Sequence, residues 1–258
     1  ADLRLHQSLR KLTKTLQTVK RVEVGFVPVD AASSLAFPTP RLLLSNRKQP
    51  LGQRAVQACP AVNTFENRVI EIPAPFSLRL RCVRTSGSEL NVHIVDDGTR
   101  LDEPLISKFV SVMPREIWRD SAVPVVQIAL PHFFICDDIC YVTQTPSWAS
   151  ESANQIPGRV ISGRFPTHLW PRSLNLAFEW SNLDQDLILK RGEPCCYLLV
   201  EGATPELPVR LFAAKYSEEL QLYRKKIEDV VRYTSGTFNL FAEAEKVRPK
   251  KLVQELLS

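Results

Sequence analysis

The residues with most chemistry to offer in this 258-residue chain are its four histidines, His6, His93, His132 and His168. A mononuclear iron centre takes two imidazoles and a carboxylate. On a β-strand that demand writes an H-x-H or H-x-D pair, because alternate side chains point the same way. No such pair occurs: His93 and Asp96 are three apart, His132 has no carboxylate two residues on, and His168 precedes Leu169-Trp170. A metal site therefore requires His93, His132 and His168 to converge over long range with a carboxylate. Nucleophilic catalysis has no G-x-S-x-G elbow, and phosphate chemistry has neither a Walker A nor a G-x-G-x-x-G loop.

The six cysteines are too few and too irregular for a disulfide framework and read as reduced core residues. Cys136-x-x-x-Cys140 is half of a zinc pattern without a second half. Asp96-Asp97-Gly98 and Asp137-Asp138 read as acidic turns, supplying too few oxygens for a closed Ca²⁺ site. Trp170-Pro171-Arg172 with Arg191-Gly192-Glu193-Pro194 admits two readings. Trp170, Arg172, Arg191 and Glu193 either line a pocket or form a buried Trp with a structural ion pair. No catalytic, cofactor-binding or metal-ligating residue is assigned, and no cofactor is implied.

The elements that carry these residues are mostly strands. SLNLAFEW (173–180) places Leu174, Leu176, Phe178 and Trp180 on one face, the period of a half-buried strand. CCYLLVE (195–201) is continuously apolar, as in a strand covered on both faces. In the segment beginning at Leu78, Leu78, Leu80 and Cys82 alternate with Arg79, Arg81 and Val83. Residues 123–148 give two strands, divided at Pro131 and Asp137-Asp138, while 49–65 and 99–122 read as irregular. About twelve short strands with turn signals between them predict a mainly β chain, an antiparallel sandwich or jelly-roll-like body over 22–214.

Helices are expected at both ends. In residues 1–21, Leu5, Leu9, Leu12, Leu16 and Val19 form one stripe, beside Arg4, Arg10, Lys11, Lys14, Lys20 and Arg21. Removing this arm leaves 27 basic and 27 acidic residues, so the whole net charge of +5 resides on it. The balanced body is not built as a nucleic-acid surface, and direct nucleic-acid contact is expected only through residues 1–21. Residues 215–258 read as C-terminal helices: one with Tyr216, Leu220, Tyr223, Ile227 and Val230 in a stripe, a second at TFNLFAEAEKV, and a third at KKLVQELL opened by Pro249. Arg4, Leu5, Leu9, Lys11, Leu12, Lys14 and Leu16, with Tyr223 and Ile227, are the candidate interface. The chain begins at Ala1 and shows neither a secretory h-region nor a membrane-length apolar run. The expectation is no membrane association and assembly from cytosolic material.

An ordered set of landmarks resembles a family of tailed-bacteriophage proteins, many of them marine. They are Cys59-Pro60-Ala61, Asn67, Ala74-Pro75-Phe76-Ser77, PHFFICDDICYVTQTP (131–146), Gly163-Arg164-Phe165, Trp170-Pro171-Arg172-Ser173-Leu174-Asn175 and Gly192-Glu193-Pro194. The match spans roughly 38–212 and departs at Ala74, where the family has Ser, and at Pro146-Ser147-Trp148, which lacks a second Pro. The resemblance implies a phage protein with a jelly-roll-like body and transfers no catalytic residue. The expected role is a structural subunit of the virion (tail, baseplate, neck or head-associated). Its expected partners are other virion proteins and copies of itself, after assembly in the host cytoplasm. The alternative is a cupin-like metal-dependent oxygenase or small-molecule-binding enzyme made during infection. A third reading is a host-interaction protein outside the virion.

Overall fold

The computed structural model describes residues 20–29, 37–43, 59–84, 90–95, 103–149, 154–204 and 207–256. The arm residues Arg4, Leu5, Leu9, Lys11, Leu12, Lys14 and Leu16, and the turn Asp96-Asp97-Gly98, lie outside them. The chain is mainly β, with helices. Sheet A has the order β14 (Val209–Ala213), β1 (Val22–Pro28), β7 (Val125–Ile135), β11 (Ser173–Glu179) and β9 (Arg159–Val160); β6 (Val110–Val112) also pairs with β7. Sheet B runs β10 (Gly163–Pro166), β8 (Cys140–Pro146), β13 (Pro194–Gly202), β3 (Val69–Pro73) and β2 (Arg41–Leu42). Sheet C joins β12 (Leu187–Leu189), β4 (Leu78–Arg84) and β5 (Leu90–Ile94). Among the described residues all pairings are antiparallel except β1 with β14.

One apolar core serves all three sheets. Val126, Ile128, Leu176 and Phe178 of sheet A meet Ile70, Ile72, Val142, Leu198 and Val200 of sheet B, with Leu78, Leu80 and Cys82 of sheet C. The alternation read in β4 and β11 is what aims these side chains inward. β13 is buried through its first five residues, as its unbroken apolar run requires.

The outer face of sheet A is covered too. Helix α3 (Glu218–Tyr233) begins where the Ser217 hydroxyl accepts the Leu220 N–H at 3.3 Å, with Glu218 and Glu219 in its first turn. Its stripe of Leu220, Tyr223 and Ile227 packs on Val27, Phe133 and Ile135, together with Ala244 of α4 (Thr237–Val247). Gly236, at φ 85°, joins the two helices through a conformation other residues rarely adopt. Tyr223 and Ile227, expected at an interface, are each 1 % exposed, so this chain already covers them. The hydroxyl of Tyr223 donates to the Leu169 carbonyl at 2.7 Å, and burial pushes its pKa up to about 12.

Four expectations change. β7 does not divide at Pro131 but runs eleven residues through it. Between the pairs Ser173–Phe133 and Asn175–Ala129, β7 advances four residues while β11 advances two. That bulge leaves proline, which has no N–H, out of the regular ladder, and the Pro131 carbonyl accepts the Val29 N–H at 2.9 Å. Segment 49–65, read as irregular, contains α1 (Pro60–Glu66), with proline at its first position. Within 99–122, α2 (Glu103–Phe109), β6 and a 3₁₀ turn at Arg115–Ile117 form.

The last change is at the C-terminus, where KKLVQELL forms no helix over its described residues. Residues 248–256 run as an extended strap bridged to Ala214 through Glu255. The Asp137 carboxylate explains the choice: it accepts the Leu252 N–H at 2.7 Å and the Val253 N–H at 3.3 Å. The Leu256 N–H reaches the Ala213 carbonyl at 2.9 Å, and Leu252 is buried at 1 % exposure. Distant acceptors and a core position thus outweigh a local helix preference.

His132 lies on the β7 positions that face the sandwich interior and packs edge-on to Phe26 at 5.6 Å. Burial lowers its pKa from 6.5 to about 4. The unfolded chain therefore binds a proton more readily than the fold between these values, and stability falls as pH drops from 6.5 towards 4. His132→Phe keeps the ring contact and removes this loss. Urea midpoints at pH 7 and pH 4.5 are expected to differ less in the variant, by about 2–3 kcal/mol of unfolding free energy.

Candidate functional site

The sequence-derived pocket residues separate into two surroundings. Trp170 packs edge-on to Phe241 of α4 at 5.6 Å, and the Arg172 guanidinium lies 5.8 Å from its ring centroid. Arg191 and Glu193 belong to the tight turn between β12 and β13, where Gly192 takes φ 87°. This turn is bonded to Ala74 and Ser77: Glu193 O accepts the Ala74 N–H at 2.8 Å, the Gly192 N–H reaches Ala74 O at 3.0 Å, and the Arg191 N–H reaches Ser77 Oγ at 3.1 Å. The four residues therefore do not share one pocket; Trp170 is only partly buried and Arg172 and Arg191 are exposed, so the buried Trp of the other reading is not formed either.

The three strand-region histidines also lie apart in the fold. His93 is on exposed positions of β5 in sheet C, and His132 is on β7 in sheet A. His168 follows β10, and its Nδ1 lies 2.8 Å from the Cys140 carbonyl. Burial is the main cause that lowers the His168 pKa. Among the described residues no group of three His, Cys, Asp or Glu could hold a metal.

Five of the six cysteines are buried and Cys59 is exposed; all six are free. Hydrogen bonding to Cys136, together with burial, raises the Cys140 thiol, and Cys195 with burial raises Cys196 in the same way. Thiols held protonated are poor nucleophiles and poor metal ligands. Asp137 serves the strap described above, and Arg248 reinforces it. The Arg248 guanidinium, 9 % exposed, donates to Cys136 O at 2.9 Å and Asp137 Oδ1 at 3.1 Å, and to the His168 carbonyl.

The residues that form a cleft are ones the sequence reading did not single out. Arg119, Asp120, Val123, Arg159, Glu179 and Ser181 line a concavity of about 450 Å³ at the β9 end of sheet A. Glu179 ends β11 with its carboxylate 6 % exposed. Arg159 Nε and Nη2 donate to Oε2 at 2.9 and 2.6 Å, and Arg119 Nε lies 2.7 Å from Oε1. The hydrogen bonds from Arg159, then the charge of Arg119, hold this carboxyl below its usual range against the opposing effect of burial. Gly158 lets β9 lie this close, because a Cβ there would sit 1.9 Å from the Glu179 carbonyl oxygen.

A second carboxylate is clamped similarly in sheet C. Asp186 receives Arg79 Nε at 2.7 Å, and Arg81 Nε and Nη2 at 2.7 and 2.8 Å. The hydrogen bonds from Arg81 contribute most to lowering its pKa to about 2. These two arginines stand two apart on one strand, whereas Arg119 and Arg159 come from separate segments and flank a cavity.

No protein-family model matches this chain, and no curated protein matches it in sequence.

Replacing Glu179 by Gln removes the anion that holds two guanidiniums, at an expected cost of about 1–3 kcal/mol at pH 7. A depressed carboxyl stabilises the fold above its unfolded pKa and loses that contribution as pH falls through the folded value. The gap between Glu179→Gln and the parent is therefore expected to narrow from pH 7 to pH 3 in urea denaturation.

Proposed function

We propose that this chain is a structural subunit of a tailed-phage particle that works through protein–protein assembly. The observation that carries the reading is the sandwich interior. The inner faces, where a β-barrel enzyme would need polar groups around a substrate, are filled by Val126, Ile128, Leu176, Phe178, Ile70, Leu198 and Val200, all fully buried. A close-packed hydrocarbon interior suits a rigid building block. His132 reaches the inner-face register without a partner set for a metal among the described residues, which weighs against the cupin-like alternative.

The landmarks of the phage resemblance support the same reading through their positions. Ala74–Ser77 and Gly192–Pro194 are bonded to each other, and 131–146 crosses from β7 in sheet A to β8 in sheet B through the turn at Asp137, which holds the C-terminal strap. They hold the sandwich together. Contact with neighbouring subunits then falls to outward positions of the helices, such as Leu222 and Phe238, 55 % and 89 % exposed, and to the basic arm. A closed symmetric assembly would supply the surfaces that cover them. Among the described residues no helix is long and apolar enough to cross a membrane.

Mass spectrometry of purified phage particles, with metal analysis of the isolated protein, tests the proposal. Abundant peptides in the particle and no bound metal are expected. Absence from particles together with stoichiometric iron or zinc would overturn it. Deleting residues 1–20 is expected to leave the unfolding midpoint unchanged and to impair assembly; outright unfolding would make that segment part of the core instead.

A further inference from the structure

The Arg119–Glu179–Arg159 group differs from an ordinary surface ion pair in its layering. The carboxylate lies behind, 6 % exposed, and the guanidiniums in front are 64 % and 74 % exposed. Arg119 meets Glu179 through Nε, and Arg159 through Nε and Nη2. Each guanidinium is thereby held by one edge, and the remaining N–H groups have no other partner among the described residues. Orienting two arginines in advance removes much of the side-chain entropy that anion binding otherwise costs.

The rest of the lining narrows the ligand. One oxygen of Asp120 accepts the Ala122 N–H at 2.8 Å, which leaves its other oxygen to accept from a ligand. Ser181 adds a hydroxyl to the same wall, and Val123 an apolar surface. Asp120 repels a polyanion and favours a molecule that carries hydroxyl donors beside a single anionic group. A volume of about 450 Å³ accommodates a small metabolite rather than a lone ion. The sheet C clamp around Asp186 has the same charges on one strand and serves as an internal comparison.

We propose that this cleft is a binding site for a small hydroxyl-bearing anion, a sugar phosphate or a hydroxy acid, with Arg119 and Arg159 on the anionic group and Asp120 on a hydroxyl. The site is independent of the sandwich interior, so it stands or falls separately from the structural role.

The test is titration of the protein with glucose 6-phosphate, gluconate and inorganic phosphate at constant ionic strength, following the arginine Nε–H signals by NMR. Saturable shifts of Arg119 and Arg159 are expected with glucose 6-phosphate or gluconate, tighter than with inorganic phosphate. Whichever of the two saturates at lower concentration identifies the anionic group as phosphoryl or carboxylate. Arg119→Gln and Arg159→Gln are each expected to weaken binding about tenfold or more. Arg81→Gln should leave it unchanged, and circular dichroism checks that all three variants fold. No saturation with either ligand would overturn the proposal, as would equal weakening by Arg81→Gln. Binding no tighter than inorganic phosphate would overturn the hydroxyl contact at Asp120.

Discussion

Burial of β7 on both faces is the constraint on which the rest of this molecule depends. Val126, Ile128, Leu130, Phe134 and Cys136 at its end face the sandwich, while Phe133 and Ile135 face α3 and α4. β7 thereby joins the two apolar clusters, as its neighbour β1 does through Val24 on one side and Val27 on the other. Its backbone must be satisfied within the protein, and its neighbours supply this: β1 and β6 along one edge, β11 along the other. The bulge at Pro131 keeps the alternation in step across a residue that cannot donate, because two extra residues preserve the parity of the faces.

Clamped carboxylates tie the edges to this centre. Arg119 and Arg159 converge on Glu179, Arg79 and Arg81 on Asp186, and Arg210 spans Glu23 and Glu255 across β1, β14 and the strap. Arginine suits the work because its planar fork meets a carboxylate through two parallel N–H groups. Most of these guanidiniums stay partly solvated, so their contribution to stability is modest beside that of the apolar core. Their value is positional: they fix which strand end lies beside which. At Glu179 that same positioning leaves donors facing a cavity, which is how a structural device acquires the geometry of a site.

Much of the sandwich was legible in the sequence because its signal is local. Leu78-Arg79-Leu80-Arg81-Cys82 and Leu174-x-Leu176-x-Phe178 display their buried faces directly, and Leu220, Tyr223 and Ile227 mark the buried side of α3. What that stripe could not tell was its partner. Tyr223 and Ile227 are apolar on one side whether a neighbouring subunit or Phe133 of the same chain covers them. The strap was hidden for a related reason. KKLVQELL has helical composition, and partners far off in sequence, Asp137 above all and the segment 213–215, draw it out straight. The cleft left no periodic trace, since Arg119, Arg159 and Glu179 are ordinary charges at unrelated spacings. The one clue was Glu179 between Phe178 and Trp180 at the end of an alternating strand, a carboxylate next to two large buried rings.

Native-state hydrogen exchange, followed residue by residue, tests the double burial of β7 most directly. The amides of Ile128, Phe133, Phe134 and Ile135 are expected to exchange only through global unfolding, with denaturant dependence equal to that of the whole molecule. Those of α3 should open at lower free energy, because the helix is covered on one face only. Exchange of the β7 amides through local opening, at a free energy well below global stability, would contradict the account.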